Sequence, residues 1–209
     1  MRLGLLNRRS GKSHSALILF VGLLAASVAV IGLYLAGLDA IAALTDGSLR
    51  DQPEAGLISD FGIFLMSAAS IAAATAAWRK HDLALAALAL FCLVFAVDDA
   101  FLIHEALGRW EVAFFAMYAL LALLVFLQLS KSIGRLSWPV FLAFAAFAVS
   151  VCVDLLWGPS VRLLGLPSGA ERFVYRLGYV LEDVPKFAGI LILTSCAIGE
   201  ALLITPDRK

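Results

Sequence analysis

The chain has 209 residues, of which 62% are hydrophobic and only 15% are charged. This composition excludes an ordinary soluble globular domain, in which about a quarter of the residues are charged. The formal net charge is zero, so we expect no nucleic-acid partner, which a strongly basic chain would favour. Cys92, Cys152 and Cys196 stand in apolar segments without paired spacing, which argues against a disulfide framework or a thiolate metal cluster.

Six apolar segments follow one another along the chain, each with about the 20 residues that cross a hydrocarbon core of ~30 Å. They lie near 15–38, 57–78, 83–103, 112–130, 137–157 and 184–204. In lipid each backbone amide needs a partner within its own segment, so these segments should be helical. The sequence therefore predicts an all-α integral membrane protein, a bundle of about six transmembrane helices in one polytopic domain over residues 1–209.

The basic residues indicate how these spans are oriented. With the N-terminus in the cytoplasm, ten of the sixteen Lys and Arg residues fall on that side: Arg2, Arg8, Arg9, Lys12, Arg79, Lys80, Lys131, Arg135, Arg208 and Lys209. Since such a bias in short loops sets orientation, we expect both termini to be cytoplasmic, in a bacterial inner (plasma) membrane. The first apolar stretch, 15–38, exceeds the 7–15 residues of a signal-peptide core, so we interpret it as a retained helix.

The loop before the sixth segment has a helical pattern of its own. Ser168 and Glu171 have the spacing of a capping box, which starts a helix. Apolar residues then recur at helical spacing, which predicts an interfacial helix over residues 169–181 in contact with membrane lipids. Pro185 should bend or start the span that follows, because its ring disfavours a helix interior.

A charged motif ends the third apolar segment, where Asp98 and Asp99 are followed, after four intervening residues, by His104 and Glu105. Ionisable groups near the bilayer centre cost about 2.5–3.5 kcal/mol each on insertion scales, so inside a span they usually mark a functional site. Counted from Leu83, where the third segment begins, at about 1.5 Å per residue, Asp98 lies about 22 Å across the membrane. Other segments place further charges at similar depth on the same side: Asp60, Asp154, Asp183 and Lys186. We therefore predict an acidic vestibule open to the outside.

Helical spacing limits which of these groups can cooperate. Asp98 and Glu105 share a face but are separated by about 10 Å along the axis, and Asp99 points about 100° to one side. One unbroken helix cannot aim the whole motif at one ion. Asp98 with Asp154 and Asp183 is the most economical inner set, and His104 and Glu105 would form an upper rim.

Several carboxylates with one imidazole suit a divalent cation such as Zn, Mg, Mn or Ca. The leading hypothesis is a metal-dependent membrane hydrolase or transferase that acts on a lipid or another amphiphile. Metal binding falls to Asp98, Asp154, Asp183 and His104, catalysis to Glu105 and Asp99, and binding of an anionic headgroup to Arg172, Arg176 and Lys186. Glu105 would be the proton shuttle.

Two other classes of function fit the same residues. Crowded carboxylates can share protons or bind a cation, which favours a small cation- or proton-coupled transporter with Asp98 and Asp154 as the binding groups. The small extramembrane mass also fits a non-catalytic subunit or assembly factor that contacts partner membrane subunits. Some of the charges have local explanations as well, such as an i,i+4 pair between Glu182 and Lys186.

Overall fold

The computed structural model describes residues 57–165 and 167–203, and these residues form helices and short turns without a strand. The helices are numbered here in chain order: α1 (Leu57–Lys80), α2 (Leu83–Phe101), α3 (Ile103–Ala106), α4 (Glu111–Ser132), α5 (Ser137–Leu164) and α6 (Ser168–Leu202). Two short 3-10 turns, Gly108–Trp110 and Gly134–Leu136, precede α4 and α5.

Five of these helices are long and apolar enough to cross a membrane. Their spanning portions are Ile58–Lys80, Leu83–Phe101, Val112–Ser132, Ser137–Val161 and Val180–Leu202. The predictions of an all-helical fold and of helices suited to cross a membrane are therefore confirmed for this part of the chain. The first predicted span, 15–38, lies outside the described residues, so a total of six spans stays a prediction.

The five long helices form a closed ring in which each helix packs against two others. Helix α1 contacts α2 and α6, α2 contacts α4, α4 contacts α5, and α5 contacts α6. Buried alanines let α1 approach its neighbours closely, as small residues do in membrane bundles. Ser70 of α1 donates a hydrogen bond to the Ala89 carbonyl of α2 at 2.9 Å, and Thr194 of α6 donates to the Leu65 carbonyl of α1 at 3.2 Å.

Helix α6 differs from the prediction of a separate interfacial helix over 169–181. These residues and the last span form one helix of 35 residues, which continues through Pro185. A proline removes one backbone hydrogen bond, but packing against neighbouring helices lets a membrane helix tolerate it. At 1.5 Å per residue α6 is about 52 Å long, more than the ~30 Å of a hydrocarbon core. The interfacial position of its first turns stays a prediction.

The first half of α6 is held against the last turns of α5. The Trp157 indole nitrogen donates to the Val174 carbonyl at 2.9 Å. Gly178 lies directly against the same indole, where the Cβ of any other residue would overlap the ring. These contacts make α5 and α6 a continuous hairpin.

One end of the ring, which we call the Lys80 end, is closed by a buried ion pair. Lys80 Nζ lies 2.7 Å from Glu200 Oε2 and donates to the Glu200 carbonyl at 2.9 Å. Arg79 donates to the Ala201 carbonyl at 3.0 Å. Basic side chains at carbonyl groups of a helix C-terminus satisfy acceptors that lack intrahelical partners and interact favourably with the helix dipole. This pair therefore fixes the C-terminal end of α6 to the end of α1.

Candidate functional site

The charged motif that ends α2 spans a break in the helix. Leu102 has a left-handed backbone, with φ 49° and ψ 44°, and the four-residue helix α3 begins at the next residue. Asp98 and Asp99 therefore lie in the last turn of α2, whereas His104 and Glu105 lie on α3. The motif is therefore not carried by one unbroken helix, which was the case in which its four side chains could not be directed at one ion. The side chains of His104 and Glu105 lie outside the part of the chain that the structure describes.

The adjacent acids Asp98 and Asp99 are both buried, at 7% and 6% exposure, and they contact different helices. Asp99 Oδ1 lies 2.6 Å from Lys186 Nζ of α6, and the two side chains are 4% and 14% exposed. Asp98 lies beside the hydroxyl of Tyr118 on α4. Neighbouring residues on a helix point about 100° apart, so one turn of α2 serves two separate sets of partners.

The Asp99 side forms a compact cluster with α6. A cavity of about 10 Å³ is bordered by Asp99, Asp183 and Lys186, and by Ser59 and Gly62 at the start of α1. This volume is close to the minimum for one water molecule. Asp183 is 9% exposed and stands three residues before Lys186, so both side chains lie on the same face of α6. We call Asp99, Asp183 and Lys186 the acid–lysine cluster, and this end of the ring the Asp99 end.

Helix α1 makes room for the acid–lysine cluster because it presents small side chains there. It lies between α2 and α6, so the Asp99–Lys186 pair joins two helices across the start of α1. At Gly62 a Cβ would lie 3.1 Å from Ile190 Cδ1, tighter than ordinary van der Waals contact. A larger residue at position 62 would require the end of the Ile190 side chain to shift by a few tenths of an ångström.

The Asp98 side is built on an aromatic layer, by which we mean Phe91, Phe95, Tyr118, Phe144 and Phe147. The ring centroids of α2 and α5 residues in this layer lie 5.0–6.4 Å apart. Tyr118 packs edge-on against Phe91 at 6.2 Å and donates its hydroxyl to the Val94 carbonyl at 3.1 Å. This layer fills the space between α2 and α5.

Asp98 and Asp154 occupy matching positions above the aromatic layer. Phe91 and Phe147 have centroids 6.4 Å apart, and each aspartate follows its phenylalanine by seven residues. Seven residues are two helical turns, about 10 Å along the same face. Because α2 and α5 run in the same direction, both carboxyl groups are placed at one level towards the Asp99 end. That the two carboxyl groups also meet stays a prediction.

The predicted metal set is divided between these two places. Asp183 borders the cavity with Asp99 and Lys186, whereas Asp98 lies beside Tyr118. Among the described residues, no group of three or more His, Cys, Asp or Glu side chains is placed to hold a metal ion. The four-ligand set of Asp98, Asp154, Asp183 and His104 stays a prediction.

The predicted substrate-binding residues also occupy different settings. Arg172 and Arg176 belong to α6, but their side chains lie outside the described part. Lys186, expected to meet an anionic headgroup, pairs with Asp99. Asp60 is exposed in the first turn of α1, where an acid is favourable to the helix dipole.

Sequence reasoning missed two residues that contribute to these sites. Tyr118 stands in the middle of an apolar span, and its hydroxyl was the available signal, since a buried tyrosine usually needs a polar partner. Ser59 borders the small cavity, and nothing in its spacing distinguished it from the other small residues of α1.

A family model described as a domain of unknown function, DUF8692, matches residues 16–198. No curated protein and no solved structure was found to be similar to the chain. The matched segment contains both the acid–lysine cluster and the Asp98–Asp154 level, together with the first predicted span. The chain belongs to the DUF8692 family.

Proposed function

We propose that this protein is a small cation- or proton-coupled membrane transporter whose coupling site is the acid–lysine cluster. The observation that carries the proposal is the 2.6 Å pair of Asp99 and Lys186, buried at the Asp99 end beside the carboxyl group of Asp183. Placed in a bacterial inner membrane with both termini cytoplasmic, this site would exchange with the outside.

The charges of the cluster explain why it suits exchange. Two carboxylates and one ammonium group leave one negative charge when all three are ionised. In surroundings of low dielectric constant, this excess favours uptake of a proton or a small cation. Lys186 already occupies the place of a cation at Asp99, and Asp183 on the same face of α6 offers it a second partner. A proton or cation arriving at Asp99 would therefore release Lys186 towards Asp183.

Exchange at this cluster would also change helix packing. The Asp99–Lys186 pair connects α2 to α6 across α1, so loss of the pair removes a link between two helices of the ring. A ligand can shift a conformational equilibrium only by binding the two states differently. A proton or cation would meet this requirement, because it binds Asp99 only when Lys186 has left. The paired form links α2 to α6, and the form without the pair does not.

The second candidate is the metal-dependent hydrolase or transferase acting on a membrane lipid. The matching level of Asp98 and Asp154 above the aromatic layer favours it, because carboxylates at one level on two helices can share a divalent ion when their side chains converge. Zn, Mg, Mn or Ca would there polarise a phosphoryl or acyl oxygen. His104 and Glu105, on the short helix that follows, would supply a further ligand and the proton shuttle, and Arg172 and Arg176 the contact with an anionic headgroup.

The test compares matched variants of the two buried ion pairs. Purified protein in liposomes is given a proton, Na⁺ or K⁺ gradient, and charge movement is recorded on a solid-supported membrane. We expect charge movement in the wild type and in Glu200→Gln, and its loss in Asp99→Asn. Equal signals from Asp99→Asn and the wild type, or no signal from the wild type with any gradient, would contradict the transporter.

Elemental analysis of the same preparations tests the second candidate. Stoichiometric metal that is lost in Asp98→Asn and Asp154→Asn, with the fold retained, would favour the enzyme. Stable copurification of another membrane protein, with neither metal nor charge movement, would favour the subunit function.

A further inference from the structure

Helix α5 carries an apolar groove of about 450 Å³ on its outward face. The groove is lined by Ala148, Val149, Cys152, Val153, Leu156, Trp157 and Ser160. Three of these residues, Ala148, Cys152 and Ser160, are small, and Val149 and Leu156 are 51% and 63% exposed. Small residues on a membrane helix let another backbone approach closely.

The groove lies on α5, which is one of the two least covered helices of the ring. Half of the residues in the spanning portions of α2 and α6 are buried, but only 22% in α5 and 11% in α4. Inside a membrane, such a face meets either lipid or another helix. The groove is therefore accessible to a further helix, and the first predicted span of this chain is a candidate for it.

We propose that the predicted first span, residues 15–38 of this chain, packs into the α5 groove. This segment carries small residues at spacings of three and four: Gly22, Ala25, Ala29, Gly32 and Ala36. In a helix, such spacing gathers them on one face. A face of small residues fits a groove that is lined in part by Ala148, Cys152 and Ser160, because both backbones can approach closely there.

The length of chain outside the described residues allows this position. Residues 39–56 join the segment to the start of α1, which lies at the Asp99 end. Fully extended, this linker reaches about 60 Å. A ring of five helices spaced 8–10 Å apart is roughly 30 Å across, so every flank of the ring is within reach. The family match over residues 16–198 includes both the segment, from its second residue on, and most of the ring.

The native Cys152 gives a direct test, because it is an exposed cysteine that lines the groove. It stands 15 residues from the start of α5, or about 22 Å along the axis. The first span is predicted to begin on the same side of the membrane as α5, and fifteen residues from Ser15 it reaches residue 30. Ala29→Cys and Gly32→Cys should therefore lie level with Cys152. Ile31→Cys and Val30→Cys are the matched controls, since each lies about 200° around the helix from its partner on the small face.

The cross-linking is done on the full chain, with the buried Cys92 and Cys196 changed to alanine and a protease site placed within residues 39–56. After oxidation and cleavage, we expect Ala29→Cys and Gly32→Cys to keep the two fragments joined at least fivefold more often than the controls do. A disulfide between two full chains instead would assign the groove to a second copy. Absence of any link, with Cys152 open to a membrane-soluble maleimide, would assign it to lipid. Either result overturns the proposal.

Discussion

The buried pair of Asp99 and Lys186 can be tested by a double-mutant cycle. Lys186→Met removes the ammonium group and leaves Asp99 and Asp183 buried beside one cavity. Breaking a buried ion pair by removing one partner costs about 3–5 kcal/mol, because the remaining charge is uncompensated. Both side chains are largely buried, at 4% and 14% exposure, so solvent screening reduces this figure little.

Asp99→Asn should cost less than Lys186→Met. The lysine is then left beside Asp183, and we expect a loss of about 1.5–3 kcal/mol, the range for a hydrogen bond to a charged group. In the double variant, the side chains at positions 99 and 186 are both neutral, so neither member of the former pair carries an uncompensated charge. The double loss should therefore be smaller than the sum of the single losses by about 1–3 kcal/mol.

The assay is reversible unfolding in mixed micelles by titration with dodecyl sulfate, followed by tryptophan fluorescence. Additive losses, within about 0.3–0.5 kcal/mol, would show that the two residues do not interact in the folded protein. The Lys80–Glu200 pair supplies the comparison. It should also show coupling, but added Na⁺, compared with choline at equal ionic strength, should stabilise Lys186→Met and leave Lys80→Met unchanged, because only the former has two acids beside one cavity.

Three further predictions use the same unfolding assay. Gly178→Val should cost about 1–3 kcal/mol because its side chain would overlap the Trp157 ring, whereas Gly134→Ala, with no atom near its Cβ position, should cost well under 1 kcal/mol. Equal losses would contradict the close contact. Tyr118→Phe should cost about 0.5–1.5 kcal/mol through loss of its hydrogen bond to Val94. No loss would contradict a net stabilising contribution from that bond. Glu200→Gln should cost under about 2 kcal/mol, since its amide can still accept from Lys80, and a loss above 4 kcal/mol would mean that the charge itself is essential.

The long helices could be predicted from the sequence because length and apolar composition decide them. The predicted segment 57–78 corresponds to a spanning portion of Ile58–Lys80, and 83–103 to Leu83–Phe101. The charged turn between them gives both boundaries, since Asp82 caps α2 by accepting from the Ala84 amide at 2.8 Å. Apolar composition and helix caps involve residues that are close together in the sequence, so they can be recognised without knowledge of the tertiary structure.

The partners of the charged residues could not be predicted in the same way. Spacing indicated a partner for Lys186 on its own helix, Glu182, but gave no sign of Asp99 on α2, which the structure places 2.6 Å from the ammonium group. That choice depends on how α2 and α6 sit on either side of α1, which no local pattern contains. The continuous α6 is a similar case, because packing along α1 and α5 carries the helix through Pro185, where local propensity would stop it.

The two buried ion pairs share α6 but hold it differently. Glu200 stands fourteen residues after Lys186, about 21 Å along the helix. At the Lys80 end, Lys80 and Arg79 bind carbonyl groups as well as the carboxylate, so several bonds fix the helix terminus. At the Asp99 end, α6 meets α2 through Asp99 and Lys186 beside a cavity, with Asp183 as a second acid and Pro185 adjacent. If a proton or cation replaces Lys186, α6 is expected to pivot about its fixed C-terminal end, so that motion is greatest where the site opens. A spin-label distance between α2 and α6 that changes with cation at the Asp99 end and stays constant at the Lys80 end would show this motion, and equal changes at both ends would refute it.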